Sequence, residues 1–193
     1  MFDLPQFETE PEPPTRNALN SHYNALFAAY DWQPHTDYLN LAKEACWLFD
    51  DVLTGKPKRW LSMLGHSGTG KTEWAKRIKA GLKENGKRSQ MWDWSVICEK
   101  YLGHGDYDIL EHLAKVPILI IDEIGKSDWK TGTAKLSHLL DQRMGKWTIC
   151  ISNLTQGDIA EKLDTRIASR MGRENNRIAN MGKDCPDYCN LKK

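Results

Sequence analysis

The sequence predicts an α/β fold: a parallel sheet of five strands covered by helices on both faces. Three observations predict it. Short apolar runs rich in β-branched residues alternate with segments of helical periodicity, the pattern of strands joined by crossover helices. The run Val116-Pro117-Ile118-Leu119-Ile120-Ile121 is apolar throughout rather than alternating, as a strand buried on both faces must be. The glycine-rich stretch Gly65-His66-Ser67-Gly68-Thr69-Gly70-Lys71-Thr72 lies between a strand pattern and a helix pattern. A ligand-binding turn at the carboxyl end of a parallel strand has this setting.

Residues 1–16 contain Pro5, Pro11, Pro13 and Pro14 with Asp3, Glu8, Glu10 and Glu12, and are predicted to be a disordered acidic tail. Residues 17–193 form one folded domain. Its first helix carries Leu19, Tyr23, Leu26 and Phe27, and Trp32-Gln33-Pro34-His35 turns the chain. A second helix carries Leu39, Leu41, Ala42, Ala45, Cys46, Leu48 and Phe49, and Thr54-Gly55-Lys56-Pro57 ends it. A strand over 59–64 enters the glycine-rich stretch, and a helix leaves it from 72 until Asn85-Gly86. Next come a strand over 89–94, a helix over 95–101 capped by Ser95, a break at Gly103-His104-Gly105 and a helix over 106–115. The buried strand over 116–121 leads to a helix over 131–144 and a strand over 147–152. A helix over 159–171, broken near Asp164, and a short strand near 177–179 complete the sheet.

With 193 residues, 40% hydrophobic and 27% charged, the chain has the composition of a globular domain with a real core. Its formal net charge of +1 points to no particular partner. No apolar run is long enough to span a membrane, and the acidic start lacks the pattern of a signal peptide, so a cytoplasmic location without membrane contact is expected. Cys46, Cys98 and Cys150 sit among apolar residues and are expected to be reduced core positions. Cys185 and Cys189 have the spacing of half a zinc site, but no second ligand pair stands near them, and zinc is not predicted.

The stretch 65–72 fits the phosphate-binding pattern G-x-x-x-x-G-K-[ST] at every fixed position. Gly65, Gly68 and Gly70 let the backbone turn so that successive N–H groups, those of His66, Ser67 and Thr69 included, point at phosphate oxygens. Lys71 brings a positive charge to the β- and γ-phosphates, and the Thr72 hydroxyl is a hard ligand for Mg²⁺. The bound groups expected are ATP and Mg²⁺. Further along, Ile118-Leu119-Ile120-Ile121 ends in Asp122-Glu123. At the carboxyl end of a strand in such a sheet, Asp122 holds Mg²⁺ and Glu123 takes a proton from an attacking water. The adjacent pair suits water activation, which favours hydrolysis over phosphoryl transfer to a small molecule. Asn153 ends the following strand, where its amide can orient the water or touch the γ-phosphate. Arg166 and Arg170 share one helical face; taken alone they read as solvated.

The order of these motifs resembles the AAA+ ATPases of the helicase-loader type, the DnaC/IstB-like group. The resemblance runs from about Phe27 to near the C-terminus. It implies ATP hydrolysis, an ATP-dependent homo-oligomer on single-stranded DNA, and a replicative helicase or a transposase as protein partner. It also implies that Asn153 is the first sensor. Arg170 becomes the arginine finger acting on the next subunit, with Arg166 the second choice. Two departures stand out: only a short acidic tail and a helix precede the ATPase, and no full lid domain is expected after Arg170. Lys126, Trp129 and Lys130, a mix of base and aromatic after the acid pair, are the candidate DNA contacts, with Lys100, Tyr101 and His104 as a second set. The alternatives are an IstB-like transposition helper, a monomeric P-loop kinase for a small molecule, and a nucleotide-gated adaptor that hardly hydrolyses.

Overall fold

The computed structural model describes residues 35–126, 130–173 and 175–187. The acidic tail and the first predicted helix lie outside them. The described elements are α1 (Thr36–Thr54), β1 (Trp60–Gly65), α2 (Lys71–Glu84), β2 (Ser89–Asp93), α3 (Trp94–Lys100), α4 (Asp108–Lys115), β3 (Ile118–Asp122), α5 (Lys130–Gln142), β4 (Trp147–Ser152), α6 (Gln156–Lys162), α7 (Thr165–Met171) and β5 (Arg177–Met181). The strands form one sheet in the order β2-β3-β4-β1-β5, and every neighbouring pair is parallel.

Strand side chains alternate between faces, and here both faces are covered. Leu61 and Met63, Ile118 and Ile120, and Ile149 and Ile151 pack against α1 and α2 in one core. Trp60 and Leu64, Leu119 and Ile121, and Cys150 pack against α3 to α7 in the other. This is why the strands read as continuous apolar runs. Cys46, Cys98 and Cys150 are buried thiols, and burial pushes Cys150 up to about 12.

The element boundaries follow local chemistry. His35 caps α1 by accepting the Asp37 N–H, and Gly55 at φ +72° ends it where the Gly-Lys-Pro turn was expected. β3 starts at Ile118 rather than 116, since Pro117 has no N–H to pair. α3 is capped by Asp93, not by Ser95. The Asp93 carboxylate accepts from Ser95 N at 2.8 Å, Ser95 Oγ at 2.6 Å and Val96 N at 3.3 Å, so β2 stops at Asp93 and Trp94 opens the helix. The last helical stretch divides near Asp164 as expected: Thr155 and Asp158 form a capping box for α6, and Asp164 accepts from Arg166 N to cap α7.

Arg143 lies at the end of α5 with no solvent exposure. Its guanidinium donates to Thr148 Oγ1 at 3.2 Å and to the carbonyls of Leu113, Ala114, Val116 and Trp147. The end of α4 and the entries of β3 and β4 are thereby tied together. Burial lowers Arg143 to about 10, so it stays charged at neutral pH.

Candidate nucleotide-binding site

The P-loop leaves β1 at Gly65 and is clamped on both sides. Gly65 N–H donates to Leu154 O at 3.0 Å, and His66 N–H to Met181 O at 3.1 Å. Gly65 has φ +102°, and a Cβ there would overlap the Met181 carbonyl oxygen, so only glycine fits between β1 and β5. The Thr69 hydroxyl donates to His66 O at 2.9 Å and fixes the turn. Gly70, at φ +83°, starts α2 with no side-chain cap, which leaves the first N–H groups of the helix to an anion.

Lys71 is 4% exposed. Its ammonium donates to Gly65 O at 2.7 Å and His66 O at 2.6 Å. Burial pushes it down to about 8, against the pull of the Asp122 and Glu123 carboxylates. It therefore remains charged at pH 7. The Thr72 hydroxyl donates to Asp122 Oδ2 at 2.9 Å, and the second Asp122 oxygen accepts the Glu123 N–H at 2.7 Å. β3 and the P-loop helix, far apart in sequence, thus meet at the two groups expected to share one metal ion.

Glu123 is the one non-glycine residue among those described with positive φ, +57°. That backbone costs about 1 kcal/mol or more, and such strain gathers at functional sites. It turns the chain out of β3, and the carboxylate lies 3.6 Å from Lys126 Nζ. The turn is held on β4: Ile124 N–H donates to Ile151 O at 3.0 Å, and Ser152 Oγ donates to Ile124 O at 2.5 Å. Asn153, next to Ser152, is exposed at the same end of the sheet.

The arginines of α7 differ. Arg166 is 70% exposed and pairs with the cap Asp164 at 2.8 Å. Arg170 is 13% exposed, pairs with Asp141 of α5, and donates to Ser137 Oγ at 3.0 Å. Of the candidate DNA contacts, Lys126 pairs with Glu123, Trp129 lies outside the described residues, and Lys130 heads α5. Tyr101 meets Trp92 edge-on at 6.0 Å, at the margin of the core.

One part of the site was not legible in the sequence. After β5 the chain turns back over the P-loop, and a Cβ on Gly68 would overlap the Asp187 carboxylate. Gly182 N–H donates to Asp37 at 2.7 Å, tying this turn to α1, and Cys185 is buried beneath it. Cys189 lies outside the described residues.

The glycine cradle, the buried Lys71 and the Thr72–Asp122 contact fit a magnesium-bound nucleoside triphosphate. On this strand order they define a P-loop nucleoside triphosphatase fold of the AAA+ type. No protein-family model and no curated protein matches the chain. Solved structures do. A structure of DnaI superposes with a TM-score of 0.66 at 20% identity, covering 84% of this chain and 89% of that one. A DnaC helicase loader gives 0.61 at 20% identity, over 84% of this chain and 99% of the other. AMPPCP-bound DnaA from Aquifex aeolicus gives 0.59 at 16% identity over 74% of this chain, which spans 47% of the DnaA chain. The fold is the one these three structures share.

Proposed function

We propose that the chain is an ATP-hydrolysing AAA+ protein of the helicase-loader type. It assembles on single-stranded DNA and loads or remodels a replication partner. The observation that carries the reading is the Thr72–Asp122 hydrogen bond with Glu123 beside it, on a fold that superposes on DnaI and DnaC.

Thr72 and Asp122 would hold Mg²⁺, which when bound neutralises charge on the phosphate oxygens. The backbone N–H groups of the P-loop bind and orient the triphosphate. Lys71 transfers its hydrogen bonds from the two loop carbonyls to phosphate oxygens. Glu123 accepts the proton of the attacking water, and Asn153 orients that water. Arg170 of one subunit enters the site of the next. Within its own chain it pairs with Asp141, a partner it must leave to act on the neighbour.

Phosphate release measured against protein concentration, with and without single-stranded DNA, tests the reading. Turnover per subunit should rise with both. Turnover independent of both would favour a monomeric enzyme. Pull-down with Glu123→Gln protein in ATP identifies the partner.

A further inference from the structure

At the opposite end of the sheet from the P-loop lies a cavity of about 1000 Å³. Lys76, Lys79 and Lys83 of α2, Lys87 and Arg88 of the following turn, and Lys115 at the end of α4 line it, and among the described residues no Asp or Glu does. All six are exposed. In a chain of net charge +1 this is a pronounced concentration of one sign.

The fold makes the concentration. Lys76, Lys79 and Lys83 recur on one face of α2 over about 10 Å, at 1.5 Å per residue. Gly86, at φ +68°, reverses the chain, with Lys87 N–H donating to Leu82 O at 2.8 Å. Lys87 and Arg88 are thereby brought back beside Lys83. Lys115 pairs weakly with Glu111 at 3.5 Å. Among the described residues the other five have no carboxylate within ion-pairing distance.

Ordinary roles account for only part of this. Lys83 and Lys115 lie in last turns and complement helix dipoles. Lysines also guard edge strands, but these are not on β2, whose first residues Ser89, Gln90 and Met91 line the cavity. Lys76, Lys79, Lys87 and Arg88 remain. Because two helix C-termini converge here, the backbone repels a compact anion. The ligand must be reached by long side chains, which suits an extended polyanion. The row on α2, about 10 Å long, has the reach of neighbouring phosphates along one strand. Among the described residues no Phe, Tyr or Trp lines the cavity, so they offer base stacking no platform.

We propose that this groove holds the phosphodiester backbone of a nucleic acid strand, independently of sequence, while the P-loop end handles nucleotide. The choice of nucleic acid as the polyanion rests on the proposed function; the charge, spacing and helix polarity do not. The test uses the full chain with ATP and a fluorescent thymidine oligonucleotide, read by anisotropy across a salt series. Lys79→Gln/Lys83→Gln/Arg88→Gln protein should bind at least about tenfold more weakly. Its salt slope should fall by about two, near 0.7 for each contact removed from a single strand. ATP affinity should stay unchanged. A control of equal charge, Lys56→Gln/Lys58→Gln/Lys162→Gln, should bind within about twofold of the parent.

A duplex arm, weakened equally or less, tells whether both forms or only single strands use the groove, and either result supports it. Unchanged oligonucleotide binding by the groove variant overturns the groove and leaves the loader reading standing. Equal losses in variant and control also overturn it. An oligonucleotide that fails to bind the parent protein in any nucleotide state overturns both. Polyglutamate binding in the groove where the oligonucleotide does not bind overturns the choice of ligand.

Discussion

Removing the Arg170 side chain tests whether a neighbour completes the active site. The guanidinium is already held within its own chain by Asp141 and Ser137. Asp141 is 50% exposed, so that ion pair contributes about 1 kcal/mol or less. The Ser137 bond, from a charged donor, adds about 1.5 kcal/mol. Freeing the arginine therefore costs about 2 kcal/mol. Neutralising charge that appears in the transition state is worth on the order of a thousandfold, about 4 kcal/mol, and exceeds that cost. Arg170→Ala should bind ATP normally and lose the net of the two, about 2 kcal/mol or thirtyfold in hydrolysis, with a melting temperature lower by roughly 4–8 °C. Asp141→Asn loosens the hold without removing the arginine and should hydrolyse at least as fast as the parent. Mixing separates a shared site from a self-contained one. Lys71→Ala protein has the arginine and a dead pocket; Arg170→Ala protein has the pocket and no arginine. A random assembly of equal parts rebuilds about a quarter of the sites, so activity should return to that order. If the mixture stays inactive while light scattering shows co-assembly, Arg170 acts within its own chain or only structurally. Arg166→Ala in the same assay decides whether the exposed arginine is the one that reaches across.

Glu123→Gln should keep Mg·ATP bound yet turn over at least about a hundredfold more slowly, as loss of a general base requires. Normal turnover would mean another group activates the water. Lys71→Ala should lose nucleotide binding in a fluorescent-ATP titration, and unchanged affinity would remove the P-loop as the site. In the parent protein Lys71 sits near 8, below the ordinary lysine value. Its ammonium is lost as pH rises through that value, so ATP affinity should hold between pH 6 and 7 and weaken about tenfold per unit above 8. Equal affinity at pH 7 and 9 would show that Lys71 keeps its proton. Gly65→Ala should destabilise the fold by about 3 kcal/mol or more, measured by urea unfolding, since its Cβ meets the Met181 backbone and φ is +102°. A mild effect would mean that β5 can move away from β1.

Local chemistry made much of the fold legible. Gly55, Pro117 and Asp164 mark element boundaries because their effects act on neighbouring dihedrals and N–H groups. The P-loop was readable for the same reason: its glycines, Lys71 and Thr72 are contiguous, and their chemistry needs no distant partner to be recognised. The cap of α3 was misread because Ser95 and Asp93 both offer oxygens, and the competition between them depends on where β2 ends. The candidate DNA contacts were chosen by composition within one loop. The basic groove is not legible in the sequence, because its lysines come from two helices and a turn.

The sequence by itself determined the parallel α/β class, the phosphate cradle and the acid pair. Each rests on periodicity or on residues adjacent in the chain. Only the tertiary structure decided that Thr72 and Asp122 share a hydrogen bond across fifty positions, |i−j| = 50. It alone set the left-handed backbone of Glu123, laid Asp187 against Gly68, and gave Arg170 its partners on α5. The physical reason is strand order. β4 lies between β3 and β1, and β5 flanks β1 on the other side, so segments remote in the chain converge at one end of the sheet. That order follows from which apolar faces pack together, and no local run of residues encodes it.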